Sequence, residues 1–242
     1  NHWTKPLKVH LGIDTGMGRI GFTKVEELHQ AVEILQSPEF EFEGIFTHFA
    51  TADSSDDTYF TKQVHRRNTM IDSLAVKPPY VHMANSATGL WHRDQITANT
   101  VRMGISMYGL NPSGRELPLV LPIQPVSSLI TSISFVKKLK AGESVSYGAT
   151  YTASADEWLA TLPIGYADGY ERRMTGFHVL VDGQVCPIAG RVCMDQMMIR
   201  LPKRYPVGTP VVLMGRSGQQ EITATDLADY AGTINYEILT NI

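Results

Sequence analysis

The stretch LKVHLGIDTGMGRIGFTKVEELHQAVEILQ, residues 7–36, decides the fold of the first half of the chain. Residues 7–14 are rich in apolar side chains, as is typical of a strand, and they lead into the glycine-rich turn TGMGRIG. Residues 24–36 then place apolar side chains at helical spacing: Val25, Leu28, Val32 and Leu35. A strand, a turn and an amphipathic helix in this order predict one β–α unit.

The same order of elements returns along the first half of the chain. We predict further strands at residues 43–49, 80–84 and 97–103, and helices at residues 56–74 and 87–91. Repeated β–α units imply parallel strands, and such sheets carry their chemistry at the C-terminal ends of the strands. Polar motifs stand at those predicted ends: residues 14–19, 47–49, 85–86 and 102–104. The sequence therefore predicts a functional site there.

The pattern changes at residues 111–125, where Pro and Gly cluster and helical periodicity disappears. We place a domain boundary there, with domains at residues 1–122 and 123–242. Short β-rich runs follow at residues 126–139, 159–164, 177–181, 184–188, 196–201 and 210–214. Asp182-Gly183 predicts a hairpin turn of type I′, and residues 225–230 predict a short helix capped by Thr223 or Thr225. The second domain is expected to be mainly β.

The composition excludes several classes of protein. The 242 residues carry 21 Lys+Arg against 24 Asp+Glu, a net charge of −3, which argues against a nucleic-acid partner. Hydrophobic residues make up 43%, which excludes a disordered chain, and no apolar run is long enough to span a membrane. The two cysteines, Cys186 and Cys193, lack zinc-ligand spacing, and no signal pattern opens the chain. We expect a cytoplasmic protein without a metal site and, because no Met begins the chain, the interior of a longer polypeptide.

Four candidates in the first domain each keep two interpretations. The glycine-rich turn around Arg19 could bind an anion or be an ordinary tight turn. His48, taken alone, is more typical of a hydrogen-bonded core histidine than of a catalyst. Asn85-Ser86 could cap the next helix or bind a phosphate. Arg102, in an apolar strand context, needs a partner, which could be a structural ion pair or a cofactor.

In the second domain three tyrosines stand beside Gly or Asn: Tyr147, Tyr166 and Tyr236. Considered singly, each tyrosine is expected to have only a packing role. A tyrosine acts as a base near neutral pH only where nearby positive charge favours its phenolate. Met194, beside Asp195, is by default part of a strand. The local chemistry leaves the roles of these residues open.

Eight segments of the chain, taken together, carry more information than the single residues. They are HLGIDTGMGRIGF (10–22), GIFTHFATAD (44–53), HMANSATG (82–89), VRMGISMYGLNPS (101–113), VSYGATY (145–151), LPIGYADGYERR (162–173), AGRVCMDQMMI (189–199) and INYEIL (234–239). In this order and combination they resemble the alanine racemase family of pyridoxal phosphate enzymes. The resemblance implies an α/β plus β fold, in which the later part of a (β/α)8 TIM-type barrel is followed by a mainly β C-terminal domain.

The resemblance also implies roles for residues around the cofactor. Arg102 would contact the pyridine nitrogen, with His48 hydrogen-bonded to Arg102 behind it. The matched phosphate contacts are Ser86, the Gly104 and Ile105 backbone, and Tyr236, and Asn85 would line the same pocket. An arginine at the pyridine nitrogen would keep that nitrogen unprotonated, which weakens the electron sink and should suppress side reactions.

For the substrate, the resemblance implies racemisation of alanine, for D-alanine supply to peptidoglycan. Tyr147 would be one of two proton-transfer groups, since racemisation needs an acid/base group on each face of the α-carbon. Arg19, the Met194 backbone and Asp195 would hold the carboxylate, and Tyr166 would shape the entrance. Because the family builds its site where one subunit's barrel meets the partner's β domain, the resemblance implies a homodimer.

The chain departs from the family pattern in two places. The family's Schiff-base lysine lies in a Lys-Ala-Asn-Ala-Tyr-Gly-type segment, and none of the nine lysines here stands in such a context. Gly12 occupies a position where many members carry a lysine that supports the arginine matched by Arg19, so another anion must buffer Arg19 or its position is looser. Two alternatives stay open: a racemase of serine or another small amino acid, and a non-catalytic fragment that lacks the Schiff-base lysine and the family's extreme C-terminus.

Overall fold

Four parallel strands form the sheet of the first half of the chain, in sequence order: β1 (Leu7–Gly12), β2 (Phe40–Phe46), β3 (Tyr80–Ala84) and β4 (Thr100–Val101). The computed structural model describes residues 4–242 and falls into two units, Asn1–Gln124 and Pro125–Ile242. The helices between the strands are α1 (Val25–Ile34), α2 (Thr58–Asp72) and α3 (Ser86–Trp91). This alternation confirms the predicted α/β part of the fold, with the strand and helix order of a (β/α)8 barrel.

One face of this sheet packs against the helices. Ile13, Ile45 and Met83 are buried there in one cluster with Leu28 of α1 and Ile71 of α2. Burial of branched and sulfur-containing side chains between sheet and helices supplies the main stabilisation of this unit. The opposite face carries polar side chains, which include His10, Glu43 and His82.

Two predicted strands in this unit have different bounds. The strand predicted at residues 43–49 is β2, Phe40–Phe46, because its parallel register with β1 begins at Leu7↔Phe40 and stops at Gly12↔Phe46. His48 therefore lies in the loop beyond the strand. The strand predicted at residues 97–103 is only β4, because the side chain of Asn99 replaces the backbone in accepting the hydrogen bond from Val81 N (2.9 Å).

The second unit is mainly β, as predicted. Its strands are β5 (Leu129–Ser132), β6 (Phe135–Leu139), β7 (Ser144–Val145), β8 (Tyr151–Thr152), β9 (Glu157–Leu162), β10 (His178–Val181), β11 (Gln184–Pro187), β12 (Met197–Leu201), β13 (Pro210–Ser217) and β14 (Gln220–Ile222). The larger sheet has the order β11-β10-β13-β14 with β5 on β13, and the two smaller sheets are β12-β9-β6 and β7-β8. The run predicted at residues 126–139 is thus two strands, β5 and β6, which belong to different sheets.

Turns and helices complete the second unit. Asp182 and Gly183 both have positive φ, 50° and 72°, between paired β10 and β11, which confirms the predicted hairpin turn. Helix α4 (Ala224–Ala231) is capped by Thr223, whose hydroxyl accepts a hydrogen bond from Asp226 N (3.0 Å). Helix α5 (Asn235–Thr240) is not predicted from the sequence, because its six residues are too few to show a helical period. No helix within residues 4–242 is both long and apolar enough to cross a bilayer.

Candidate active site

A cavity of about 250 Å³ lies at the C-terminal ends of the strands of the first unit. It is lined by Ile13, Met17, Arg19, Ile20, Phe46, Thr47, His48, His82 and Arg102. The segments after β1, β2 and β4 each contribute a polar side chain, because parallel strands bring their C-terminal ends to one edge of the sheet. The structure thus brings together three of the predicted site residues: Arg19, His48 and Arg102.

Arg102 occupies the centre of this arrangement. Its Nη1 donates to the Nδ1 and the carbonyl oxygen of His82, both at 2.7 Å. Its Nη2 donates to the carbonyl oxygen of Thr47 at 2.7 Å and to Nδ1 of His48 at 3.2 Å. None of these partners is an acid, so the partners themselves do not neutralise the guanidinium, which stays charged at neutral pH. This arrangement excludes the structural ion pair and leaves the cofactor contact open.

The two imidazoles beside Arg102 are held in their neutral forms. Burial, then the charge of Arg102, then that of Arg19, lower the pKa of His48 below its ordinary value of 6.5. Burial, then Arg102, then His10, lower the pKa of His82 in the same direction. The Nδ1 of each ring therefore accepts from the guanidinium, which fixes the direction in which Arg102 points.

Ser86 lies close to the turn that follows β4. Its side chain is 3% exposed, and its hydroxyl oxygen accepts from Gly104 N at 2.9 Å and from Ser106 N at 3.4 Å. A Cβ built on Gly104 would stand 3.5 Å from that hydroxyl, so glycine keeps the space before it open. Ile105 begins the next 3₁₀ turn, Ile105–Tyr108, and is itself buried. Four predicted residues are thereby adjacent, because Asn85 and Ser86 begin α3 and Gly104 and Ile105 begin the 3₁₀ turn.

Asn85 has a structural role. Its Oδ1 accepts from Thr88 N at 2.9 Å and from the Thr88 hydroxyl at 2.8 Å, so it caps α3. This confirms the helix-cap interpretation of Asn85 and commits its carbonyl oxygen to the helix.

The glycine-rich turn is closed by its own aspartate. Oδ1 of Asp14 accepts from Gly16 N at 2.8 Å and from Gly18 N at 3.1 Å. Two of the backbone donors that could have bound an external anion are therefore occupied by a carboxylate of the chain. The structure favours the tight turn over the anion site, and Arg19 extends from this turn as an exposed side chain.

Phe46 fills the space above Gly12. A Cβ built on Gly12 would stand 3.0 Å from Cζ of Phe46, whose ring stacks on His82 with centroids 5.3 Å apart. The carbon of the Arg102 guanidinium lies 5.9 Å from the same ring centroid. No carboxylate within residues 4–242 pairs with Arg19. Of the two expectations for Gly12, the geometry favours a looser Arg19 over a buffering anion from the described chain.

Tyr147 lies on an exposed turn of the second unit. Its side chain is 71% exposed, and the residue before it, Ser146, has φ of +70°. The strained Ser146 is held because its hydroxyl donates to Arg191 O and accepts from Arg191 N, both at 2.9 Å. A β-carbon at Gly190 would overlap Ser146, so glycine there permits this contact. The AGRVCMDQ segment thereby positions the turn that carries Tyr147.

Tyr166 and Met194 lie on two loops that run side by side. Tyr166 N donates to Cys193 O at 3.0 Å, and Ala167 N donates to Met194 O at 2.8 Å. Both side chains are largely exposed, at 43% and 58%, and Asp195 is exposed beside them. The structure brings Tyr166, Met194 and Asp195 together through backbone pairing.

Gly165 makes that pairing possible, because a Cβ there would overlap Cys193 O and stand 2.5 Å from Met194 O. Replacing Gly165 by alanine should lower the free energy of unfolding by about 1–3 kcal/mol, since backbone atoms cannot swing away as a side chain can. Chemical denaturation of the 242-residue chain measures this change. The matched control is Gly89→Ala, where the new Cβ would meet only Val101 Cγ1, at 3.9 Å. Equal losses in the two variants would contradict the steric explanation.

Tyr236 lies in α5 and is partly buried and already engaged in contacts. The loop that carries Tyr166 reaches the end of this helix, since a Cβ on Gly169 would overlap Asn241 O. The predicted residues of the second unit therefore occupy neighbouring loops and one short helix.

The sequence motifs do not predict His82, Phe46 or the polar residues of β1 and β2 as part of the site. A signal was present, because Lys8 and His10 alternate with Val9 and Leu11, which is the period of a strand with one polar face. His82 stands in the HMANSATG segment and lies in β3, as predicted, so the sequence pattern alone does not mark it as a site residue.

Comparison with known proteins extends these observations. A family model described as "Alanine racemase, N-terminal domain" matches residues 1–112, and one described as "Alanine racemase, C-terminal domain" matches residues 126–242. An alanine racemase of Limosilactobacillus reuteri is 79% identical over 238 residues, which cover 98% of this chain and 64% of that protein. The crystal structure of alanine racemase from E. faecalis matches with a TM-score of 0.96 and 50% identity, over 99% of this chain and 64% of that one.

A structure of a different racemase is also similar. Histidine racemase from Leuconostoc mesenteroides subsp. sake matches with a TM-score of 0.93 and 37% identity, over 98% of this chain and 64% of that one. The chain thus spans slightly less than two thirds of the length of each of these three proteins.

Proposed function

Since the chain belongs to the alanine racemase family, we propose that it carries most of the active site of a racemase that interconverts L-alanine and D-alanine with pyridoxal phosphate. The observation that carries the proposal is Arg102, whose charged guanidinium is held by two neutral imidazoles beside a cavity at the strand ends. The 79% identity to a curated alanine racemase supports it.

The donor set of the first unit fits this cofactor. Arg102 would donate to the pyridine nitrogen and, because an arginine does not release its proton, would leave that nitrogen unprotonated. The open space before Ser86 Oγ, which a Cβ on Gly104 would fill, suits a phosphate held by Ser86 and the backbone of Gly104 and Ile105. We assign Tyr236 to the phosphate from the family resemblance alone. When bound, pyridoxal phosphate withdraws electrons from the substrate's α-carbon.

The remaining residues would act on the substrate. Tyr147, with an exposed hydroxyl on a rigidly held turn, would accept or return the α-proton at its Oη. The Arg19 guanidinium is a cation and would bind the anionic carboxylate of the substrate. The Met194 backbone and Asp195 would help to hold that carboxylate. Tyr166 would narrow the entrance. His48 would keep Arg102 in place and remain neutral while doing so.

Racemisation needs a second proton-transfer group, for which the family uses its Schiff-base lysine. No lysine is among the residues that line it in the described structure. A non-catalytic, pyridoxal phosphate-binding piece is therefore the alternative, and a lysine that reacts with the cofactor would exclude it.

The assembly and the biological role are proposed on the same premise. We propose a homodimer, in which Tyr147, Met194 and Asp195 of one subunit serve the partner's cofactor. We also propose a cytoplasmic enzyme that supplies D-alanine to peptidoglycan.

One comparison bears on the side chain of the substrate. A protein named histidine racemase matches with a TM-score of 0.93, against 0.96 for the alanine racemase from E. faecalis. The fold therefore does not decide the side chain of the substrate, because selectivity depends on the shape of the pocket. Serine or another small amino acid remains the alternative.

The test uses the 242-residue chain with added pyridoxal phosphate. We expect saturable binding, seen as circular dichroism in the absorption band of the cofactor, and D-alanine formation only where borohydride traps a lysine adduct in the same sample. Binding without adduct or D-alanine would support the non-catalytic alternative. Turnover of serine or histidine but not alanine would overturn the substrate, and a chain that does not bind the cofactor at all would overturn the proposal as a whole.

A further inference from the structure

A line of polar side chains crosses the sheet of the first unit, on the face that does not pack against the helices. Nε2 of His82 lies 2.7 Å from Nδ1 of His10, and Nε2 of His10 lies 3.1 Å from Oε2 of Glu43. Lys8 Nζ donates to the other oxygen of Glu43 at 2.5 Å. These residues belong to β1, β2 and β3, and the proposed reaction uses none of them directly.

The direction of every hydrogen bond in this line is determined by its two ends. Arg102 can only donate, so Nδ1 of His82 must accept from it. A neutral His82 then carries its proton on Nε2 and donates to Nδ1 of His10. His10 in turn carries its proton on Nε2 and donates to the Glu43 carboxylate, which can only accept. All the hydrogen bonds of this line therefore point the same way, with each donor on the Arg102 side and each acceptor on the Glu43 side.

Gly44 makes room for this line. A Cβ built on Gly44 would overlap the ring of His10, with Cγ at 2.7 Å and the Nδ1 atom closer still. The register of β1 and β2 also shifts between Val9 and His10, directly at the point where His10 pairs with Gly44. The backbone is thus shaped so that His10 can lie against β2 and reach both His82 and Glu43.

We infer that Glu43, His10 and His82 are positioning residues for Arg102. Their hydrogen bonds fix the imidazoles of His10 and His82 in the Nε2-protonated tautomer, so that Nδ1 of His82 accepts from Arg102. Protonation of His82 would place an N–H against the Arg102 guanidinium, so the line works only while both rings are neutral. The charged and titratable groups around it are Lys8, Glu41, Tyr80, Arg19 and His48. This inference deepens the proposed function, because Arg102 is the residue assigned to the cofactor.

The first test needs no variant and no cofactor. Long-range ¹H–¹⁵N correlation of the histidine rings in the 242-residue chain near neutral pH identifies which nitrogen carries each proton. We expect the Nε2-protonated form of His82 and of His10 to exceed the other tautomer by about tenfold, as a hydrogen bond of ordinary net strength gives. A proton on Nδ1 of either ring would overturn the inference.

Two variants with matched controls test how the line is held. Glu43→Ala removes the terminal acceptor, and we expect the tautomer excess at His10 and His82 to fall severalfold. Its control, Glu41→Ala, removes a second carboxylate near Lys8 that does not touch His10. Gly44→Ala should displace His10 and have the same effect, whereas Gly89→Ala, whose Cβ meets only Val101 at 3.9 Å, should not. Unchanged tautomers in both Glu43→Ala and Gly44→Ala, with circular dichroism of a folded chain, would overturn the inference.

The readout separates this inference from the proposed function. If the chain binds pyridoxal phosphate but His82 is a mixture of tautomers, the positioning role fails alone. If the tautomers are as expected and no cofactor binds, the proposed function fails alone.

Discussion

Replacing Arg102 by leucine is expected to weaken the binding of pyridoxal phosphate about tenfold to a hundredfold. The reason is the loss of a charge-assisted hydrogen bond to the cofactor, which is worth about 1.5–3 kcal/mol, and tenfold in affinity corresponds to about 1.4 kcal/mol. Leucine also leaves four acceptors without their donor, on Thr47, His48 and His82. Titration of the chain with pyridoxal phosphate measures the change in affinity.

A second readout of the same variant is independent of the cofactor. The charge of Arg102 is, after burial, the next cause that lowers the pKa of His48 and of His82. In Arg102→Leu the pKa of each ring should therefore rise toward 6.5, which ring NMR titration detects. Because a lowered pKa means that the native state binds fewer protons than the unfolded chain, the unaltered protein keeps its full stability above pH 6.5 and loses it on acidification through the folded-state pKa values. Arg102→Leu should therefore lose less of its folding stability than the unaltered protein over the same pH range.

The control for Arg102→Leu is Arg93→Leu, which removes the same side chain from an exposed position of the same unit, where it is 76% exposed. It should leave both cofactor affinity and the two histidine pKa values unchanged. If Arg102→Leu behaves like this control, Arg102 has no part in binding the cofactor.

The strand ends of the first unit could be predicted because their signal is local. Each polar motif follows an apolar run, and parallel strands necessarily bring such motifs to one edge of the sheet. The sequence does not decide between a tight turn and an anion site around Arg19, because Asp14, which lies just before the glycines, competes with any external anion for the backbone donors. Only the geometry shows which acceptor occupies them.

The polar line behind Arg102 could not be predicted, because it joins residues that are far apart in the sequence. His10 meets Glu43 across 33 residues and His82 across 72, and both contacts depend on the shifted register at Val9 and His10. Alternation in β1 could have indicated a polar face, but it does not identify the partners. The need for glycine at residue 44 is likewise not visible in the sequence, because it depends on the ring of His10, which packs directly against Gly44.

Replacing Tyr147 by phenylalanine is expected to slow α-proton exchange from one enantiomer of alanine by about 10²- to 10⁴-fold, the range that a positioned general acid or base contributes. Exchange from the other enantiomer should be affected far less, because the proton on the opposite face is served by a different group. Loss of α-deuterium, followed separately from each enantiomer in the enzyme with its cofactor bound, measures the two rates. Equal slowing of both would contradict the assignment.

The same substitution should leave folding and cofactor affinity unchanged, which distinguishes a chemical role from a structural one. Within residues 4–242 the Tyr147 hydroxyl has no hydrogen-bond partner, and its side chain is 71% exposed, so its removal should change the free energy of unfolding by less than about 0.5 kcal/mol. Tyr230→Phe provides the opposite case, because that hydroxyl donates to Thr175 O at 2.8 Å. It should cost about 1 kcal/mol of stability and leave proton exchange unaltered. A hydroxyl that is exposed, unpaired and held on a strained turn contributes nothing to the fold, so any large effect of its removal must arise in the reaction.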